Sequence, residues 1–564
     1  MKTGLRFFLA MVLMLLVFVV TNKLFPPVLP EPPAETGGPE AGGVGERGDV
    51  MGGEGTGAVV PAPDAEPGLV LPGEVDAEHL VTVETPLYHI AFTNRGAAVR
   101  SIRLPGYESF AREGPVELVP PGAGSVLGGT WQVGSGADRL ELSRLSYDVS
   151  PAEGIRLAEG GGPRTLTFRY EHPTVDFASE IRYTFHSDSY VVGVEGRLPA
   201  RERAAMFVDL GPGPAINELR EGDDRRMMAF SANHVADGIR SLLFAKVKEP
   251  EAIPGPLRWA AVKSKYFVEV VLAGDGVGGD ASLAGVWADP IPGTGRAAVR
   301  VGLPVKEDGS YAYRAYLGPI DRDLLAAVGD NLQEVNPIGW AVFRPITRPF
   351  VAVALWTMRM LHDHLNLSYG WVLIVIGLLV RVVLWPLNQK AMRSQLKNMA
   401  AAPLMEGIKR KYKDDPQKMQ QETIKLYKEQ GINPLAGCVP LLIPWPMLIA
   451  LFFVFQNTIQ LRGQSFMWLA DLSAPDPLYI LPIFLAVSLF VVQWISMRAA
   501  AAANPQMKMM MYILPIMMLV IFWRLASGLN LYYASFNLAM IPQQILIARE
   551  RKKAQAAGPL KPKT

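Results

Sequence analysis

Arg381 is the residue of this chain whose position most needs a chemical reason. It stands in Gly377-Leu-Leu-Val-Arg381-Val-Val-Leu-Trp385-Pro386, flanked on both sides by apolar side chains. A charge in hydrocarbon costs about 2.5–3.5 kcal/mol on insertion scales. Such a guanidinium therefore either snorkels to the nearer headgroups or faces a wetted hollow between helices. It can draw an anion towards itself, but with no acceptor and no accessible deprotonated form it is neither base nor nucleophile. The five apolar segments around and after it carry no Asp, Glu or His. Proton-coupled transport needs titratable groups at that depth, and an intramembrane protease needs a nucleophile with its base, or metal ligands. Neither set is present in these segments, so no covalent chemistry and no cofactor are expected. His362-Asp363-His364 could tempt a metal reading, but a loop beside a membrane surface accounts for it better. The single cysteine, Cys438, excludes a disulfide framework and a thiolate metal site.

The elements that must position Arg381 are those apolar segments: 369–387, 439–460, 478–497, 509–526 and 529–548. Each has roughly the length that crosses a bilayer. They also carry polar residues: Gln493, Ser496, Asn530, Tyr533, Ser535, Asn537, Gln543 and Gln544. These side chains could line a hollow around Arg381, or could bridge helices by hydrogen bonds.

Charge sets the orientation. Ten basic residues lie between 388 and 433, among them Lys409, Arg410, Lys411 and Lys413, against five acidic ones. Six more basic residues follow Ala548, including Arg549, Arg551, Lys552 and Lys553, whereas the loop 461–477 has Arg462 alone. Cytoplasmic loops carry the lysine and arginine excess, so 388–433, 498–508 and the C-terminus are expected in the cytoplasm. Residues 391–412 and 416–430 read as a helical hairpin (389–430 with its flanks), with Asp415 capping, Pro416 at the first helical position and Gly431 just past the end. Its basic, partly amphipathic faces suit anionic headgroups or ribosomal RNA, or simply set orientation.

Before the apolar segments the chain is of another kind. Residues 1–25, with Lys2 and Arg6 ahead of an apolar run and no small-x-small cleavage site, read as an uncleaved signal anchor. Counting it, the chain has six expected transmembrane helices, five of them in a core over 369–548. In the stretch 26–73, 22 of 48 residues are Gly or Pro, too few apolar groups to offset ordering entropy, so 26–74 is expected to be a disordered tether. Over 75–335 the period changes to two. Short runs at 86–94, 97–104, 165–170, 179–185, 190–198, 266–274, 297–305 and 310–317 are separated by turn residues, which indicates a β-sandwich. Five of the seven histidines fall here without ligand spacing. Residues 321–333 resemble a short amphipathic helix. Residues 336–368, mixing Trp340, Phe350 and Trp356 with Arg344, Arg348 and Arg359, suit a helix lying in the membrane interface.

Several motifs together resemble one family. Asn433-Pro-Leu-Ala-Gly-Cys-Val-Pro-Leu-Leu-Ile-Pro-Trp-Pro446, Arg381 with Pro386, Asp471-Leu-Ser-Ala-Pro-Asp-Pro-Leu-Tyr-Ile-Leu-Pro482 and Ser527-Gly-Leu-Asn-Leu-Tyr-Tyr533 with Gln543-Gln544 are similar to the signatures of the YidC membrane protein insertases. The likeness extends through Trp259, Tyr266-Phe267 and Tyr316-Leu-Gly-Pro319, and leaves out the 26–73 tether. The resemblance implies a polytopic α-helical membrane protein with a periplasmic all-β domain, seated in the inner membrane with both termini cytoplasmic. It implies an amphiphilic groove in which Arg381 is the groove arginine and Tyr533 touches the passing substrate, with Gly377, Gln493, Asn530 and Asn537 around them. Gly377 stands where the family pattern often has threonine, and Pro444 where it has glutamine. The partners implied are nascent membrane proteins, the ribosome at the tail and hairpin, the Sec translocon and the bilayer. A transporter or channel would need a continuous pore or an inverted repeat, and an envelope-assembly scaffold would need no polar groove.

Overall fold

The computed structural model describes residues 77–134, 138–274, 282–337, 344–400, 402–413, 415–429, 445–498 and 505–556. The signal anchor, the tether and most of the 433–446 motif lie outside them.

The β domain is two sheets sharing one core. The smaller has five strands in the spatial order Pro115–Glu117, Val99–Glu108, His89–Thr93, Leu80–Glu84, Ile155–Arg156, and the larger has fourteen. Alternation explains the packing. In Ala178–Phe185 the buried residues are Ser179, Ile181, Tyr183 and Phe185, one face of a pleated strand. Against that face stands Phe92 of the small sheet, with ring centroids 4.7 Å from Tyr183 and 5.8 Å from both Phe168 and Phe185. Gly196, opposite Ile181, lets Tyr311 lie across the strand, since a Cβ there would meet the ring at 2.1 Å.

The eight runs expected from the period of two all fall on strands. The longest strand, Glu251–Lys263, was not among them, because Pro254-Gly255-Pro256 reads as a breaker. The structure accommodates those residues at a register shift between Pro254 and Leu257. Leu257–Lys263 then pairs with Ala229–His234 on one side, and Trp259–Lys263 with Phe267–Ala273 on the other.

Ten helices follow or interrupt the strands among the described residues: α1 Glu221–Met227, α2 Arg322–Val328, α3 Arg344–Arg359, α4 Tyr369–Ala400, α5 Ala402–Lys411, α6 Pro416–Glu429, α7 Trp445–Asn457, α8 Ile480–Arg498, α9 Pro505–Phe522 and α10 Ser527–Ala556. Asp321 caps α2 by accepting from the Asp323 and Leu324 amides. The amphipathic segment expected over 321–333 thus stops at Val328 and resumes as a short turn, Leu332–Val335.

Helix α3 buries Thr347, Val351, Ala354 and Met358 and exposes Ile346, Val353 and Trp356. His362 donates Nδ1–H to the Leu367 carbonyl at 2.8 Å and stacks on Tyr369. No group of three or more His, Cys, Asp or Glu able to hold a metal occurs among the described residues.

Among the described residues one helix, over Tyr369–Pro386, is long and apolar enough to cross a membrane. Met447–Asn457, Ile480–Ile495 and Tyr512–Phe522 are shorter apolar helices. Two reasons for the difference from five expected spans are local. Helix α9 ends at Phe522, leaving Arg524 exposed beyond it, and the apolar character of α10 is diluted by Asn530, Ser535, Asn537 and Gln543. Helices α4 and α10 have 32 and 30 residues, about 45–48 Å at 1.5 Å per residue. That exceeds a hydrocarbon core of about 30 Å.

The hairpin falls in a different compact unit from the β domain. Its first arm begins later than expected, because 391–400 continue α4 and α5 starts only at Ala402. Asp415 caps α6, accepting from the Lys418 amide at 3.1 Å.

Candidate functional site

Arg381 lies on α4, one turn before Pro386, and α10 closes over it. Its Nη2 donates to Gln543 Oε1, and its guanidinium carbon sits 5.6 Å from the centroid of Phe536. Phe536 and Gln543 are seven residues apart, so they lie on one stripe of α10. The Gln543 amide in turn reaches the Trp385 carbonyl at 3.4 Å, tying the two helices beside Pro386. The residue is 4% exposed and its Nε finds no acceptor among the described residues. The wetted hollow expected around Arg381 is therefore not its surroundings here. A buried guanidinium that cannot reach water takes the nearest side-chain acceptor, which is Gln543.

Gly377 stands one turn before Arg381. A Cβ there would come within 3.1 Å of the Tyr532 carbonyl oxygen, 3.2 Å of Ser535 Cβ and 3.3 Å of the Phe536 amide nitrogen. Its place is thus a close helix–helix approach, which small residues allow, rather than the wall of an open groove. With no Cβ at 377, α4 and α10 pack at this distance without their atoms having to give way.

The polar residues divide. Asn530, fully buried, donates to the Phe522 carbonyl at the end of α9. Asn537 donates to Ser488 Oγ on α8 at 3.4 Å. Both bridge helices. Tyr533 is half-buried, one turn from Phe536, with its ring edge-on to Phe522 at 5.1 Å, and Gln493 is half-buried on α8. Arg381, Gly377 and the α10 stripe come together. Asn530 sits by the start of α10, 13 residues and more than three turns from Gln543, so the expected set is spread along the helix rather than gathered at the arginine. Gln543 is the direct partner that the six-residue groove set omitted. Its spacing of seven from Phe536 was the available signal.

At the other end of α10 two of the motifs meet. The Ser527 and Gly528 amides donate to the Ala474 and Leu472 carbonyls at 2.7 and 2.8 Å, and Ser527 Oγ to the Asp471 carbonyl. Asp476, buried, caps α8 through the Leu478 and Leu481 amides and also accepts from Trp468 Nε1. The same loop enters the β domain. Arg462 donates to Glu218 at 2.7 Å and to the Asn217 carbonyl, with its guanidinium 4.4 Å from the Phe110 ring centre. Ile459 joins the core of that domain. Burial pushes the Glu218 carboxyl up, against the pull of Arg462.

Of the basic residues, Arg410, Lys411 and Lys413 are exposed on the hairpin and Arg549 is exposed on α10. Lys409 lies on α5. Arg551, Lys552 and Lys553 continue α10, so the expected tail begins as helix.

With this geometry in hand, comparison with known proteins is informative. Residues 360–555 match the family described as 60Kd inner membrane protein, and residues 80–353 match the YidC periplasmic domain. Curated proteins named Membrane protein insertase YidC are similar along most of the chain. The one from Prosthecochloris aestuarii is 31% identical, over 83% of this chain and 82% of its own. Those from Chlorobaculum tepidum and Chlorobium luteolum are 30% and 29% identical, over 89% and 90% of this chain and 89% of each of theirs. Among solved structures, an active YidC insertase with its first transmembrane domain resolved covers 83% of this chain and 93% of its own, at 18% identity and a TM-score of 0.34.

Proposed function

The chain belongs to the YidC family of membrane protein insertases, and from that premise we propose that it inserts nascent inner-membrane proteins by way of Arg381 and the α10 stripe that covers it. The observation that carries the reading is a buried guanidinium holding one acceptor, Gln543, and one N–H with none. A carboxylate arriving from the cytoplasmic side would satisfy that donor better than a neutral amide does, since it brings a full opposite charge and two oxygens that match the guanidinium fork. Exchange of Gln543 for a substrate's acidic tail would open α10 from α4 along the Gly377 contact. The substrate's apolar segment would then pass by Tyr533 into lipid, driven by its own burial and the membrane potential. No step breaks or forms a covalent bond.

In this reading the chain spans the inner membrane six times with both termini cytoplasmic, and the β domain is periplasmic. The exposed Arg410, Lys411 and Lys413 and the basic end of α10 meet the ribosome, and the Sec translocon works alongside. The deciding experiment is site-specific photocrosslinking from Tyr533 and Gln493 to a stalled nascent membrane protein. Adducts from Tyr533 are expected; their absence, with adducts appearing only from lipid-facing Val382, would reject the path.

A further inference from the structure

The terminal strands of the β domain are blunted, with one exception. A strand with an open side offers unpaired amides and carbonyls to any extended chain that meets it, and proteins answer with shortness, proline or charge. In the small sheet the terminal strands Pro115–Glu117 and Ile155–Arg156 have three and two residues. In the large sheet Asp138–Glu141 has four, with Asp138, Arg139 and Glu141 charged, and Asp148–Ser150 has three. Gly238–Leu243 has six and pairs on one side alone. It carries Ile239, Leu242 and Leu243, with neither a proline nor a bulge.

On its closed side it pairs with Ala229–His234, Leu243 opposite Ala229 and Ser241 opposite Ser231. One step further, the Phe244 amide donates to the Met228 carbonyl at 2.9 Å. Hydrogen-bonded pairs alternate with unbonded ones along an antiparallel ladder, so Arg240 and Leu242 turn their backbone groups towards Ala229–His234. Ile239, Ser241 and the Leu243 amide turn theirs outward, where no strand among the described residues meets them.

The side chains decide what can pair there. Arg240 is exposed, stands opposite Ala232 and shares a face with Leu242; it has no carboxylate partner among the described residues. A second copy of the strand is a poor match. Of the two antiparallel self-registers that join outward groups over most of the strand, one sets Arg240 opposite its own counterpart and the other sets the two diagonally on one face. Like charges so placed are destabilising, whereas opposite charges across the pair are favourable. One arginine thus refuses a second copy and favours a different strand bearing a carboxylate.

We infer that Gly238–Leu243 is a docking edge for an extended peptide of another protein, which adds a strand with an acidic residue opposite Arg240 and an apolar one opposite Leu242. Main-chain hydrogen bonds at Ile239, Ser241 and Leu243 supply affinity, and the side chains supply selection.

The test uses the full-length protein in mild detergent and fluorescent peptides read by anisotropy. The probe, antiparallel to Ile239–Leu243, is Val-Val-Thr-Glu-Val between soluble flanks, which sets Thr opposite Ser241 and Glu opposite Arg240. Companion peptides carry Lys for Glu, or Pro for Thr. Wild type is expected to bind the Glu peptide about fivefold more tightly than the Lys peptide, and the Pro peptide, which lacks the central N–H, more weakly than the Glu peptide. Arg240→Glu should reverse the order of the Glu and Lys peptides. Ser241→Pro removes an outward amide and no ladder bond, so it should unfold at the wild-type temperature yet lose about fivefold in affinity for the Glu peptide. Should that variant fail to fold, the reversal by Arg240→Glu still decides. No binding of the Glu peptide by wild type, equal affinity for the Glu and Lys peptides, or undiminished binding by a folded Ser241→Pro variant overturns the inference. A wild type that binds no peptide but sediments as a dimer, dispersed by Ser241→Pro, gives the edge to a second copy and overturns the peptide assignment.

Discussion

The contact between Arg381 and Gln543 can be separated from the use made of it. Replacing Gln543, fully buried on α10, by leucine keeps the volume but strands a guanidinium that is 4% exposed. Replacing Arg381 by leucine removes the charge and leaves a glutamine still bonded to the Trp385 carbonyl. A hydrogen bond to a charged group contributes about 1.5–3 kcal/mol, and an uncompensated buried charge costs more than its loss. Gln543→Leu should therefore destabilise the more strongly. The double variant should recover a coupling of about 1.5–3 kcal/mol, roughly ten- to a hundredfold in equilibrium constant. Thermal unfolding of the full-length protein in one detergent reads these values. Insertion of two clients, one with an acidic translocated tail and one with a neutral tail, reads the function. Both variants lacking Arg381 should fail the acidic client and pass the neutral one, while Gln543→Leu, which keeps the charge, should insert both. Additive stabilities would show that the two side chains do not hold each other. Normal insertion of the acidic client by Arg381→Leu would refute the role of the charge.

Other consequences are simpler. Gly377→Thr places atoms against the α10 backbone and should cost about 1–3 kcal/mol by overpacking, with unchanged thermal stability refuting the close approach. Arg462→Ala leaves Glu218 buried and alone, and should cost about 3–5 kcal/mol; limited proteolysis of the junction between loop 461–477 and the β domain should accelerate, and an unaltered pattern would count against that docking. Glu269, in the centre of the large sheet, has both carboxylate oxygens buried without partners among the described residues, and burial raises its pKa well above the ordinary value. The folded state then holds a proton that the unfolded chain has released. The stability linked to it is full below the ordinary glutamate pKa and is lost as pH rises through the raised folded value. Glu269→Gln should flatten that fall in unfolding measured across the neutral range, and an identical pH profile would dismiss it. Deleting 549–564 should weaken ribosome co-sedimentation in a salt-sensitive way, most at low salt where the basic tail is least screened, and unchanged binding would remove that partner from the tail.

What could be read from residues alone was whatever depends on period and composition. Alternation over Ser179–Phe185 and Ser310–Leu317 implies half-buried strands wherever those strands end up, because a pleat admits one side-chain period. The Asp415-Pro416 pair starts a helix for equally local reasons. A single arginine among apolar residues announces a problem in any fold. Who solves it is not local. Gln543 lies 162 residues away, and glutamine at that spacing is as consistent with lining water as with accepting from a guanidinium. Gly377 reads as a missing hydroxyl until the Tyr532 carbonyl is seen beside it. The same holds for Glu251–Lys263, whose Pro-Gly-Pro looks like a break and is a register shift between paired strands, and for Arg462, which in sequence merely marks a loop poor in charge and in space is buried against Glu218. Secondary structure follows from neighbours along the chain; burial, and with it the cost of a charge or the use of a glycine, follows from neighbours across it, and only packing decides who those are.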